Sequence, residues 1–333
     1  MDSQIILMKI QNYLQKANTH APGMSEEIIQ EAGEQVKAVL RMTFNETRGD
    51  KFRIRMSNVG KPTCQLMMER DGADKEAQPY SFRMKMLIGE ITELVLKAVI
   101  LGSGVHIASA NEKVALKLDD MITINGSYDL DIGGIWDVKS ASRYSYENKF
   151  VNFTTLEQDD PFGYCGQLFG YAEASNKRAR GWIAVNKETG DIKIVDAIDT
   201  PETRKKHLDK LRENVYKLVD LEAPFVRSFQ DEEETFYKVP TGNRKLGMSC
   251  GFCEYKWSCW EGLQQKQMVK TTSTNPKLVY YTKYDPASAA PHVKAEKPKK
   301  EVVVYKDKAC KSKSPNVMCT TCDCWKKTRE YCS

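Results

Sequence analysis

The chain has 333 residues, with 50 Lys and Arg against 45 Asp and Glu, so its formal net charge is +5. This small positive excess permits nucleic-acid binding but does not require it. The apolar run 94–101 contains Lys97 and is too short to cross a bilayer, and the first residues lack the basic start of a secretory signal. We therefore expect no membrane partner and a cytoplasmic location, in the host cytoplasm if the chain is viral.

The predicted elements begin with helices over about the first sixty residues. Ser25 is a suitable N-cap for the second of them, with Glu26 and Glu27 in its first turn. A third helix is predicted over 84–101 and ends at Gly102, a residue typical of helix C-caps. The later predicted elements are strands at 104–109, 112–118, 121–129 and 132–140, a helix at 162–176, strands at 181–186 and 191–197, and a helix at 201–222. This order predicts the α/β fold class with one central sheet.

Composition divides the chain into four regions. Residues 270–308 carry Thr, Ser, Pro, Ala and Lys with little periodic apolar content, which is typical of a flexible linker. The predicted regions are an N-terminal helical region (1–55), a core that carries the motifs described below (56–264), a flexible linker (265–305) and a basic Cys-rich tail (306–333).

Two neighbouring predicted strands carry acidic side chains and a lysine. One ends in the segment Gly126–Asp129, the other contains Asp137-Val138-Lys139, and Gly133-Gly134 between them is a turn signal. Side chains alternate along a strand, so Asp137 and Lys139 share one face while Val138 points into a core. Two carboxylates at close range bind a hard divalent cation, and a neighbouring lysine can orient or deprotonate a water. Taken alone, these residues are more typical of a surface strand with a salt bridge than of a metal site.

Polar side chains on two predicted helices support that site. Glu90 and Glu93 lie on an otherwise apolar helix, and either could reach a cation held by the strands. Gln167 and Tyr171 are four residues apart and project from one helix face, where an amide and a phenol are suited to holding DNA. The alternatives are a solvated helix face for the glutamates and an amphipathic helix edge for the pair.

Ten cysteines are unusual for a chain expected in a reducing compartment, where clustered thiols indicate metal rather than disulfides. Cys250, Cys253 and Cys259 form a C-x2-C-x5-C motif. Thiolates crowd together in this way only when a cation compensates their charge, so the motif predicts a metal or a cluster. A fourth ligand is needed, and the candidates are Cys64, Cys165 and the C-terminal cysteines.

The order of these motifs resembles the RecB-like branch of the PD-(D/E)XK nuclease superfamily. The similarity is to its iron–sulfur members in particular, the CRISPR-associated four-cysteine exonucleases and the AddB-type helicase–nucleases, and also to phage exonucleases. It covers about residues 55–262. The matching segments, in chain order, are Ser57–Cys64, Gly89 with Glu93, Gly126–Asp129, Asp137–Lys139, Gln167–Tyr171, and the group Cys250, Cys253 and Cys259.

The resemblance implies a restriction-endonuclease-like core, a central mixed sheet flanked by helices, with roles for individual residues. Glu93, Asp129 and Asp137 would ligate Mg²⁺ or Mn²⁺ together with the Val138 carbonyl. Lys139 would position the attacking water. Gln167 and Tyr171 would organise DNA near the scissile phosphate.

The same resemblance implies a second site. Cys64, Cys250, Cys253 and Cys259 would hold a [4Fe–4S] cluster that fastens the chain before the nuclease core to the chain after it. Cys165 would then be a buried, apolar residue.

Two alternatives at the acidic site stay open. Many relatives carry His where this chain has Glu93, and Glu90 is a close competitor for the same role. Asp131 lies two residues after Asp129 on a predicted strand, so it would face the same way and could share the metal.

The tail adds Cys310, Cys319, Cys322, Cys324 and Cys332 in a basic setting. The pair Cys319-x2-Cys322 resembles half of a zinc site, which Cys310 or Cys332 could complete in a small zinc knuckle. The alternative is a disordered basic tail with oxidisable thiols.

Together these motifs predict a metal-dependent DNA exonuclease that acts in recombination, repair or replication. The chain lacks a Walker A sequence, which argues against a built-in helicase motor. A homo-oligomer and a recombination or replication partner protein are compatible with this prediction. The alternatives are a non-catalytic nucleic-acid-binding or assembly protein that retains the fold, and a zinc-stabilised regulator.

Overall fold

A mixed five-stranded sheet with helices on both faces carries the predicted acidic motifs. The computed structural model describes residues 2–21, 23–45, 52–236, 238–268 and 278–287. Their helices are α1 (Ser3–Ala17), α2 (Glu26–Phe44), α3 (Thr63–Arg70), α4 (Tyr80–Gly102), α5 (Arg143–Asn148), α6 (Phe153–Gln158), α7 (Tyr164–Ala174), α8 (Pro201–Val219), α9 (Met248–Gly251) and α10 (Lys256–Cys259).

The strands form three sheets. They are β1 (Ser109–Ala110), β2 (Lys113–Lys117), β3 (Thr123–Ser127), β4 (Leu130–Asp131), β5 (Ile135–Ala141), β6 (Ala179–Asn186), β7 (Ile192–Asp196), β8 (Glu232–Phe236), β9 (Val239–Lys245), β10 (Gln264–Gln267) and β11 (Leu278–Lys283). The central sheet has the order β1-β4-β5-β6-β7, with β5 and β6 parallel and the other pairs antiparallel. The predicted α/β class with a central mixed sheet flanked by helices is confirmed.

Strand β5 divides its side chains between two apolar cores. Trp136 and Val138 pack with residues of α1 and α4, among them Ile10 and Leu96. Ile135 belongs to the opposite core, which includes residues of α7 and α8. The alternation along β5 therefore places Asp137 and Lys139 on the α7 side of the sheet, as the sequence pattern predicts.

The strand predicted over 121–129 is shorter, β3, and it pairs with β2 in a separate two-stranded sheet. The strand that pairs with β5 is β4, which lies just beyond the predicted one. Between β3 and β4 lies Tyr128, whose side chain is buried and whose hydroxyl lies 2.6 Å from Ser109 Oγ. Of the strand predicted over 104–109, only Ser109 is in a strand, β1.

A four-stranded antiparallel sheet, β10-β11-β9-β8, lies where no strands were predicted. It includes part of the predicted linker, because β10 pairs with β11 from Gln264 opposite Tyr281 to Gln267 opposite Leu278. Tyr281 is buried in this sheet and donates to Glu234 at 2.5 Å. The predicted tail with its five cysteines, and residues 288–305 of the predicted linker, lie outside the described residues.

No helix among the described residues combines the length and the apolar content needed to span a membrane.

Gly126 is the point where β3 touches helix α7. A Cβ atom there would lie 2.6 Å from Tyr171 Cε1 and 2.7 Å from Met56 Cβ. Neither neighbour has room to move, because Tyr171 and Met56 are both buried in the core. The glycine of the predicted Gly126–Asp129 motif is therefore required by packing.

We predict that Gly126→Ala lowers the free energy of unfolding by about 1–3 kcal/mol, the usual cost of overpacking a core. Urea denaturation measures it. Gly33→Ala is the matched control, since a Cβ on this glycine of α2 meets nothing within 4 Å. The control is expected to be neutral or stabilising by up to about 1 kcal/mol. Equal stabilities for the two variants would contradict the packing argument.

Candidate active site

Asp137 and Lys139 form a buried ion pair on β5. Lys139 Nζ lies 2.9 Å from Asp137 Oδ1, with which it hydrogen bonds, and 2.7 Å from Oδ2. The second contact lacks hydrogen-bond geometry, so Asp137 Oδ2 is buried without a hydrogen-bond partner. Burial raises the pKa of Asp137 to about 7, because the opposing effect of Lys139 is partly offset by Asp129 and Glu93. Burial alone would lower the pKa of Lys139, but the surrounding carboxylates raise it overall.

The other two predicted carboxylates, Asp129 and Glu93, accept hydrogen bonds from backbone N–H groups along one edge of β5, called the open edge below. Strand β4 pairs only with Ile135 and Trp136, and no other strand of the described residues pairs with β5 on that side from Asp137 onward. The N–H of Val138 donates to Asp129 Oδ2 at 2.7 Å, and the N–H of Ser140 donates to Glu93 Oε1 at 2.9 Å. In a strand, the N–H and the C=O of one residue point to the same edge. The Val138 carbonyl therefore faces the open edge too.

Glu93 reaches the strand because helix α4 approaches it closely at Gly89. A Cβ at Gly89 would lie 3.0 Å from Ser140 Oγ, the atom that also donates to Glu93 Oε1 at 3.1 Å. Burial is the main cause of the raised pKa of Glu93. Within the described part of the chain, Glu90 makes no hydrogen bond or ion pair to this cluster. The structure thus brings Glu93, and not Glu90, to the two aspartates.

Lys97 belongs to the cluster and was missed from the sequence. It lies one helical turn after Glu93 on α4, and its Nζ lies 2.5 Å from Asp129 Oδ1 and 3.2 Å from Asn111 Oδ1. The four-residue spacing between Glu93 and Lys97 could have predicted this, since positions i and i+4 share a helix face. In the sequence, however, this lysine only interrupts an apolar run.

Gln167 and Tyr171 lie together on α7, as their spacing predicts. Gln167 Nε2 donates to the Tyr171 hydroxyl at 3.2 Å. Tyr171 is only 3% exposed, and burial raises its pKa to about 12. Asp137 and Asp129 contribute to that raised pKa, so the buried phenol lies within electrostatic range of both carboxylates.

Tyr164 is a second site residue that the sequence did not reveal. Lys139 Nζ lies 5.1 Å from the centroid of its ring, and burial raises the pKa of its hydroxyl to about 12. Phe162 stacks on Tyr164 with a centroid distance of 5.5 Å and is 51% exposed. An aromatic surface therefore runs from the buried lysine to solvent.

Asp131 does not join the cluster. Lys177 Nζ lies 2.8 Å from its Oδ2, and its Oδ1 accepts from the N–H of Gly134 at 2.8 Å. Both oxygens thus stabilise the β4–β5 turn and its basic neighbour. Asp131 has no part in the site in this structure.

The donor types at the open edge of β5 fit a hard divalent cation. They are carboxylate oxygens and one backbone carbonyl, and the oxygen of Asp137 that lacks a hydrogen bond is a suitable ligand atom. In the described residues no group of three or more His, Cys, Asp or Glu side chains is arranged to hold a metal ion. The ammonium groups of Lys97 and Lys139 pair with the aspartates in this conformation.

The four predicted cluster cysteines meet at one small cavity. Cys64 comes from the first turn of α3, and Cys250, Cys253 and Cys259 come from the α9–α10 segment. Burial, together with the neighbouring thiols of Cys64, Cys253 and Cys259, raises the pKa of Cys250 to about 11. None of the four is in a disulfide. Thiols are the ligand type of tetrahedral zinc sites and iron–sulfur clusters, although in this structure the four are not arranged to hold a metal ion. Cys165 lies apart in the core, buried as predicted.

A polar contact joins the same two chain segments without any cofactor. Lys256 is 3% exposed and pairs with Glu76, which also accepts from Trp257 Nε1 at 3.0 Å. Ser258 Oγ donates to the Asp74 carbonyl at 2.8 Å. The segment before α4 is thereby attached to α10, next to the cysteine cavity.

No family profile and no curated protein sequence matches the chain. Among solved structures the chain is similar to one titled "Crystal structure of SSO0001", from an archaeal protein, at 9% identity with a TM-score of 0.33. The alignment covers 61% of this chain and 91% of the other. A likeness of this degree carries no inference about fold or function.

We predict that Cys250→Ser lowers the free energy of unfolding of anaerobically purified protein by about 4 kcal/mol or more, because a shared metal or cluster closes a very long loop. The protein is expected to lose its bound iron at the same time. Thermal unfolding and iron content are the measurements. Cys165→Ser is the control for a buried thiol outside the cavity and is expected to keep the iron. A colourless wild-type protein with stoichiometric zinc would contradict the cluster.

Proposed function

We propose that this protein is a metal-dependent deoxyribonuclease with a restriction-endonuclease-like core, acting as an exonuclease in DNA recombination, repair or replication. One observation carries the proposal: Glu93 and Asp129 bind alternate backbone N–H groups on the open edge of β5, beside the Asp137–Lys139 pair. Three carboxylates and one lysine are the groups needed to hydrolyse a phosphodiester with a hard cation.

Glu93, Asp129, Asp137 and the Val138 carbonyl would hold Mg²⁺ or Mn²⁺, which when bound supplies a Lewis acid that stabilises charge on the phosphate. Lys139 holds the nucleophilic water by hydrogen bonding. The Tyr164 ring covers one side of this ammonium and keeps it directed at the carboxylates. Gln167, which Tyr171 supports from behind, is placed to contact the DNA backbone.

We further propose that Cys64, Cys250, Cys253 and Cys259 hold a [4Fe–4S] cluster with a structural role. They lie on segments before and after the nuclease core, and the Lys256–Glu76 pair joins the same segments. Fastening the chain at this place would stabilise α3 and α10 together, without contact with the reacting phosphate.

One observation favours the second candidate, a nucleic-acid-binding or assembly protein without catalysis. Lys97 pairs with Asp129 and Lys139 with Asp137, and such ion pairs are also typical of a purely structural network. In that case the carboxylates would be dispensable for binding DNA.

Digestion of end-labelled single- and double-stranded DNA with Mg²⁺ or Mn²⁺ separates the two candidates. We predict that the wild-type chain digests DNA and that Glu93→Gln lowers the rate at least about 100-fold, the scale of losing one transition-state contact. Glu90→Gln is the matched control on the same helix and is expected to retain the wild-type rate. Absence of metal-dependent digestion in the wild type would support the non-catalytic candidate, whereas full activity of both Glu93→Gln and Asp137→Asn would show that the assigned carboxylates are not catalytic.

We also predict that Phe162→Ala weakens binding of single-stranded DNA about 5- to 100-fold, because an exposed ring beside the site is suited to stacking on a base. Fluorescence anisotropy in the presence of EDTA measures binding without cleavage. Phe44→Ala removes an aromatic side chain of α2 that is 68% exposed and serves as the control. Equal losses in both variants would contradict a stacking role for Phe162.

A further inference from the structure

Lys97 occupies one side of the Asp129 carboxylate. Its Nζ lies 2.5 Å from Oδ1, while Oδ2 accepts from the N–H of Val138. Both partners are largely shielded from solvent, with 13% of the Lys97 side chain and 20% of the Asp129 side chain exposed. This is therefore a protected ion pair, unlike the exposed pairs that solvent screens.

A second residue holds the ammonium group in place. Asn111 accepts from Lys97 Nζ through its side chain at 3.2 Å, and its own N–H donates to the Asp129 carbonyl at 3.0 Å. Asn111 has a φ of 53°, a left-handed conformation that asparagine tolerates better than most residues. Lys97 thus contacts the Asp129 side chain directly, and it also contacts Asn111, which binds the Asp129 backbone.

The two oxygens of Asp129 are consequently not equivalent toward a metal. A carboxylate oxygen has two lone pairs, so Oδ2 can accept from Val138 and still ligate an ion beside Asp137. On the other side, Oδ1 already faces a fixed positive charge. Two-metal nucleases need a carboxylate that bridges ions about 3.5–4 Å apart, and an ammonium group at Oδ1 opposes the second ion by charge repulsion and by volume.

The formal charges agree with this geometry. Glu93, Asp129 and Asp137 carry three negative charges when ionised, and Lys97 and Lys139 carry two positive ones. One divalent ion changes the remaining single negative charge to a single positive one, whereas two ions would leave three positive charges in a largely buried space. Replacing Lys97 with an uncharged residue would lower the charge of the site with two ions from three positive charges to two.

We propose that the Lys97 ammonium takes the place of a second metal ion, so that this site binds a single divalent cation and Lys97 supplies the remaining positive charge toward the phosphate. The inference rests on the proposed nuclease function and deepens it, because it assigns the metal stoichiometry and a positioning residue on α4.

Isothermal titration of the full-length chain with Mn²⁺, in the absence of DNA, tests it. Only Mn²⁺ ions whose binding is lost on the substitution Asp137→Asn are counted. We expect one such ion in the wild type, one in Lys97→Arg, which keeps the charge, and two in Lys97→Met, which keeps the length without the charge. Lys85→Met, at an exposed position of the same helix, is the matched control and is expected to bind one.

The outcomes separate the inference from the function on which it rests. Two ions in the wild type, or a single ion in folded Lys97→Met, overturn the role of Lys97 and leave the nuclease proposal standing. The wild-type count decides the matter even if Lys97→Met does not fold, which circular dichroism would show. A wild-type chain that binds no Mn²⁺ dependent on Asp137 overturns the proposed function and this inference with it.

Discussion

The interaction on which the site depends is the pairing of carboxylates with the open edge of β5. Strand β4 ends after two residues, which leaves the N–H groups of Val138 and Ser140 without a neighbouring strand. A buried N–H without a partner costs about 1–3 kcal/mol, so the edge needs acceptors. Asp129 and Glu93 supply them, and charge-assisted hydrogen bonds of this kind are stronger than neutral ones. The bonds that complete the sheet edge are therefore the same bonds that bring these carboxylates to Asp137.

Close backbone approaches make those bonds possible. Gly89 lets α4 come near enough to β5 for Glu93 to reach Ser140, and Gly126 lets β3 lie against Tyr171. A third approach joins Gly60 to Gly163, where a Cβ on Gly163 would lie 2.2 Å from the Gly60 carbonyl carbon. Gly163 has a φ of 75° and immediately precedes α7, the helix that carries Tyr164 and Gln167. At each of these points a side chain would separate two elements whose contact places a polar group in the site.

The parts of the site that could be predicted from the sequence are those set by local periodicity. Alternation along β5 placed Asp137 and Lys139 on one face, and the four-residue spacing on α7 placed Gln167 next to Tyr171. Lys97 and Tyr164 were missed because their roles depend on which side of an element faces the site, a tertiary property. The choice between Glu93 and Glu90 was open for the same reason. The close approach of Gly89 to Ser140 sets the position of α4 and so brings Glu93 to β5. The β8–β11 sheet was missed because β8, β9 and β10 are mostly polar in sequence, and a buried polar contact such as Tyr281 with Glu234 leaves no apolar pattern to detect.

The two candidate metal sites limit the negative charge of their acidic groups by different physical means. At the open edge of β5, two ammonium groups pair with two of the three carboxylates, which offsets the cost of burying Asp137. At the cysteine cavity, burial and mutual repulsion raise the pKa of Cys250, Cys253 and Cys259, so these thiols keep their protons. A cation at the first site must compete with lysine side chains that stay nearby, whereas a cation at the second must displace protons that leave for solvent. Charges fixed in the fold therefore act on cation binding at the acidic site, where the raised pKa values of Asp137 and Glu93 add a dependence on pH, and deprotonation governs binding at the cysteine site.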